Sequence, residues 1–167
     1  MNLLDRLLGH DEAATRELLT ICLSLSDEQM DREFDAGWVT LRRTFNHMIS
    51  NIEVWTDLMM ERTVRTGERG VSTRELLDRL HASYTEFAGF ARKIEREGRL
   101  DDLWTDVLDQ PPRQKSYGGA IGHVITHNMH HRAEAQHMLH RLGMTNVPEG
   151  DLMGWDQRAR LRPDVEL

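Results

Sequence analysis

The chain has 167 residues, the usual size of one domain, and is long enough to bury a core without disulfides or a partner. Lys plus Arg number 21 against 28 Asp plus Glu, a net charge of −7 that repels polyanions, so nucleic acid is not an expected partner. The lone cysteine, Cys22, excludes an internal disulfide framework and a Cys-rich metal site. No apolar run approaches the roughly 18 to 20 residues that span a bilayer, and Asp5, Arg6 and Asp11 interrupt any signal-peptide pattern. A cytoplasmic protein without membrane contact is expected, folded as a single domain over 1–167.

The first proline is Pro111, so nothing obliges a helix to break before it. Leu3, Leu4, Leu7, Leu8, Ala14, Leu18, Leu19 and Cys22 recur at three- and four-residue spacing and predict a first helix that stops before Ser26, a cap for a short following turn. Leu41, Phe45, Met48, Ile52, Trp55 and Met59 predict a second, with Gly37 as the break and Thr40 as its N-cap. Ser72-Thr73-Arg74-Glu75 is a capping-box pattern, and opens a third helix running to about Glu97 before Gly98. A short loop, Thr63 to Val71, suits antiparallel neighbours. Past a linker from Gly98 to Tyr117, Gly118 and Gly119 precede a fourth helical pattern that ends at Leu142, with Gly143 as its cap. No strand-like alternation is visible. The expected fold is all-α: four helices of roughly 22 to 26 residues in an antiparallel four-helix bundle, with a long crossover linker and a short C-terminal extension around Trp155.

The chain contains nine histidines, of which His123, His127, His130, His131, His137 and His140 fall in the fourth helix. At roughly 100° per residue, His127 and His131 lie in the middle of its apolar stripe, among Ala120, Val124, Met138 and Leu142. Imidazoles one turn apart on a buried face can converge on one ion; they can equally be core residues satisfied by neighbours. His47 lies at the border of the second helix's apolar stripe and offers a third imidazole. Three such ligands make a neutral, borderline-soft set for one divalent ion, Zn, Ni, Fe or Mn, with a position left open for water or substrate. Glu134 lies one turn beyond His131 on the same face, placed to orient a ligand, act as a base or ligate, or simply to form a surface ion pair with a neighbouring Arg. The metalloprotease pattern H-E-x-x-H fails, because His127-Asn128-Met129-His130-His131 has no glutamate between the ligands. Glu134-Ala135-Gln136-His137 matches the E-x-x-H of di-iron bundles, but the chain has no second copy.

With LRRTFN before His47, a Trp at 55 and the run GHVITHNMHHRAEAQHMLHRLG, most of the chain resembles the DinB/YfiT-like metalloenzymes. The resemblance implies a four-helix bundle holding one divalent metal on His47, His127 and His131, with Arg132 matching the Arg of the family's H-x-x-x-H-R segment. Ala133-Glu134 replaces the common Gly-Gln and puts a carboxylate beside the ligands. Relatives of this fold include bacillithiol- and mycothiol-dependent transferases and isomerases, alongside many members with no established reaction, which implies a small-molecule substrate and S-transfer chemistry at the open position; a metal-dependent hydrolase and a non-catalytic metal-binding bundle are the alternatives. Family members are often homodimers. Cys22, on the apolar face of the first helix, reads as a small buried hydrophobe, His10 as a solvent-facing or capping residue, and Arg42-Arg43 as a solvated patch.

Overall fold

The computed structural model describes residues 1–66 and 72–161. In chain order it contains α1 (Leu3–Ile21), a 3₁₀ turn (Cys22–Ser24), α2 (Asp27–Met30), α3 (Leu41–Met59), α4 (Thr73–Arg96), β1 (Leu103–Asp106), β2 (Arg113–Ser116), α5 (Tyr117–Arg141) and α6 (Leu152–Arg160). The described part is thus mostly helical, with one small two-stranded sheet. None of its helices is long and apolar enough to cross a membrane.

Helix starts follow local chemistry. Ser72 Oγ accepts the Glu75 N–H at 3.2 Å while the Glu75 carboxylate accepts the Ser72 N–H at 2.8 Å, so each of two otherwise orphaned donors is satisfied by the other residue's side chain. Ser26 and Gln29 do the same for α2, and Thr40 accepts the Arg43 N–H at the head of α3. Gly143 follows α5 with φ +85, the left-handed geometry that favours glycine at a helix end.

α1 and α3 each pack against both α4 and α5, closing the four long helices around buried Leu19, Phe45, Ile52, Leu80, Phe87 and Val124. Each such side chain contributes about 1.5–3 kcal/mol relative to exposure, which is why periodic apolar faces decide the arrangement. The helices are shorter than expected at the N-terminal end, 19 residues for α1 and α3 against 24 and 25 for α4 and α5.

The linker corrects the expectation of no strand. β1 and β2 pair antiparallel, Leu103 opposite Ser116 and Asp106 opposite Arg113. Four residues each is too short for a period-two pattern to stand out, and only Trp104 and Asp106 turn inward. Gly118 and Gly119 lie inside the first turn of α5 rather than before it, because Ser116 is the cap.

Beyond α5, Trp155 of α6 lies on Gly9 of α1, where a Cβ would overlap the indole. His10 is buried, not solvent-facing, and its Nε2 bonds the Gly150 carbonyl at 2.7 Å, so it holds the C-terminal segment. Of the expected loop Thr63 to Val71, residues 67–71 lie outside the described part, as do residues 162–167 of the extension.

Candidate metal centre

Along α3, His47, Asn51 and Trp55 follow at one-turn intervals, and along α5 so do His123, His127 and His131, so each helix offers one row of side chains. The two rows meet in opposite order. The His47 ring lies 4.7 Å from His131 and 5.1 Å from His127, while Trp55 lies 4.8 Å from His123. His47 Nε2 is 2.9 Å from His127 Nε2, which is 3.1 Å from His131 Nε2. All three residues offer nitrogens within 4.8 Å of one another.

Such a cluster suits a cation. Ligands at about 2.0–2.1 Å on a tetrahedral ion stand about 3.3 Å apart, within a few tenths of an ångström of these separations. His131 Nδ1–H donates to Glu134 Oε2 at 2.7 Å, which leaves the Nε2 lone pair facing its neighbours. Burial lowers the pKa of His47 from 6.5 to about 4, helped by His131 and His127, and burial also lowers that of His127. Neutral imidazoles are what a metal requires. The donor set, the His131 tautomer that Glu134 favours and the two Nε2 separations therefore fit a divalent ion.

Glu134 is not one of the three converging groups. Its second oxygen lies 3.2 Å from His130 Nε2, so both oxygens are engaged by neighbouring histidines. His130 and Glu134 also group with His131 as potential donors, a contact these two bonds already explain. His123 stacks on His127 at 5.3 Å without joining the trio, and Lys115 sits 4.8 Å above the Trp55 ring.

A family model described as the DinB family matches residues 1–156. The chain belongs to the DinB family. Its fold is similar to that of a DinB-like protein from Bacillus cereus, with 21% identity, a TM-score of 0.61, and coverage of 84% of this chain and 90% of that one. No curated protein matches the chain.

In this DinB protein Arg132 turns away from the trio into a buried network that the sequence reading missed. Its guanidinium pairs with Asp11 of α1, whose other oxygen accepts Tyr84 O–H at 2.8 Å and Asn128 Nδ2–H at 2.9 Å. A signal existed: on the α1 wheel Asp11 falls between Leu8 and Leu18, a carboxylate inside an apolar stripe. Arg42 is also no free patch, since it pairs with Asp27 and Asp31 at 2.6 and 2.8 Å. A cavity of about 620 Å³ lies elsewhere, between α1, α4 and α6, and none of the trio lines it.

The lowered histidines set a pH dependence for the metal-free protein. Below about 6.5 the unfolded chain protonates at His47 while the folded chain resists until about 4, so the unfolded state binds more protons and stability falls as pH falls through that window. Urea midpoints at pH 7 and pH 5 should show this loss, with a shallower pH slope in His47→Gln. Equal slopes in the two proteins would remove His47 from the effect.

Proposed function

We propose that this DinB protein is a metal-dependent enzyme that binds one divalent ion on His47, His127 and His131 and transfers a low-molecular-weight thiol. The observation that carries the reading is that the Nε2 atoms of His47 and His131 both close on His127 Nε2, from two helices, with His131 held by Glu134. When bound, such an ion acts as a Lewis acid and lowers the pKa of a thiol or water at its remaining position. The four long helices are read as an antiparallel bundle with the hairpin as its crossover, holding the two histidine-bearing helices side by side. Zn, Ni, Fe and Mn all suit the donors.

The chain's own residues divide the work. The trio binds, and Glu134 orients His131 by accepting the hydrogen bond from its Nδ1–H. Cys22 is 0% exposed, and burial pushes its thiol up to about 12, so it is no nucleophile near neutral pH. A sulfur nucleophile would therefore come from a co-substrate. Cytoplasmic location and a homodimer complete the proposal.

Untagged protein should carry close to one equivalent of divalent metal by elemental analysis. After cobalt substitution, cysteine should change the visible spectrum while serine does not. No retained metal after zinc loading and gel filtration would overturn the metal; a cobalt spectrum indifferent to cysteine would remove the thiol and favour hydrolysis.

A further inference from the structure

The reversal between α2 and α3 touches His47 of the trio and the Glu134 carboxylate that bonds His131, while contributing no nitrogen of its own to the cluster. Phe34 is buried at its start, and Thr40 caps α3 at its end. Between them Phe34 N–H donates to the Val39 carbonyl at 2.7 Å, and Val39 N–H to the Ala36 carbonyl at 2.9 Å. Arg141, at the end of α5, pairs with Asp35 and lies 5.2 Å over the Phe34 ring, which ties the reversal to the helix carrying His127 and His131. Two of its residues are left-handed, Gly37 at φ +48 and Val39 at φ 72. For a β-branched valine that conformation is costly; it persists only where the surroundings over-determine it, and it clusters at functional sites.

The consequence reaches two ligands on two helices. A Cβ on Gly37 would overlap both carboxylate oxygens of Glu134, so only glycine leaves that carboxylate where it meets His131. The next residue, Trp38, is 45% exposed, and its indole stacks on His47 with centroids 4.1 Å apart and planes at 26°. We propose that the reversal from Phe34 to Thr40 is a clamp that presets metal affinity and coordination, with Gly37 and Trp38 as positioning residues. The clamp rests on the metal reading above. Gly37 acts on His131 through Glu134; Trp38 acts on His47 directly. Moving a flexible carboxylate is cheap in itself, so the cost of filling Gly37 falls on the bond it breaks to His131.

The test compares cobalt(II) affinity, by competition with a chelator, and the visible cobalt spectrum across variants of the full chain. Gly37→Ala and Trp38→Ala should each lose roughly 10- to 100-fold in affinity, as outer partners of metal ligands do, and should alter the spectrum. Trp38→Phe keeps a ring on His47 and should recover most of the loss. Gly98, also left-handed at φ +68 but with nothing within 4 Å of its would-be Cβ, supplies the control. Gly98→Ala carries the same kind of backbone strain and should lower thermal stability while leaving affinity and spectrum unchanged. If Gly37→Ala does not fold, the Trp38→Ala and Trp38→Phe pair decides. Wild-type affinity and spectrum in the Ala variants would overturn the clamp. Failure of the wild type itself to bind cobalt would overturn the metal reading and the clamp with it, and is a separate result.

Discussion

Asp11→Ala is expected to destabilise the protein by about 3–5 kcal/mol, the usual cost of breaking a buried ion pair from one side. Asp11 is 0% exposed and Arg132 5%, so removing the carboxylate strands a cation where water cannot reach it. Tyr84 and Asn128 lose their acceptor in the same step. Because those partners come from α4 and α5, the loss loosens α1 from both of the long helices it packs against. Burial and the Asp11 charge hold the Tyr84 hydroxyl well above its usual pKa, so it stays protonated and donating. Urea unfolding measures the effect, and the double variant Asp11→Ala with Arg132→Leu should recover much of it, since an apolar replacement leaves no charge behind. A cost below about 1 kcal/mol for Asp11→Ala alone would mean that the guanidinium finds water or another partner, against the arrangement described.

His131→Ala should abolish the thermal stabilisation that zinc gives the wild type. A ligand that binds only the folded state at about 1,000 times its Kd adds about 4 kcal/mol, which at this chain length raises Tm by roughly 8–16 °C. Losing one of three ligands, and with it the residue that Glu134 orients, should remove nearly all of that shift. Without metal the variant should unfold close to the wild type, because it removes one member of a crowded group of imidazoles. His140, exposed on the far side of α5, is the matched control: His140→Ala should keep the full zinc-dependent shift. A zinc response in His131→Ala equal to that of the wild type would take His131 out of the site.

What could be read in the chain before folding was whatever lies within one helix. Ser26, Thr40 and Ser72 announce helix starts, because a cap and the backbone donor it satisfies are three residues apart. His127 and His131 declare themselves as a pair, because residues four apart share a helix face whatever the surroundings. His47 needed more: its spacing placed it only at the border of a stripe, and the family resemblance linked it to the pair. Asp11 was visible as an oddity in an apolar stripe, but its partner 121 residues away was not. The β1–β2 hairpin went unseen because its four-residue strands are too short to show a period, and the docking of Trp155 on Gly9 and the contacts of Gly37 and Trp38 left no local trace, since each depends on which surface arrives opposite. Local hydrogen bonding and periodicity thus decided where this chain is helical and which face of α5 carries histidines. Packing between helices decided that Glu134 meets His131, that Arg132 is spent on Asp11, and that a turn with no ligand of its own reaches two of the three histidines.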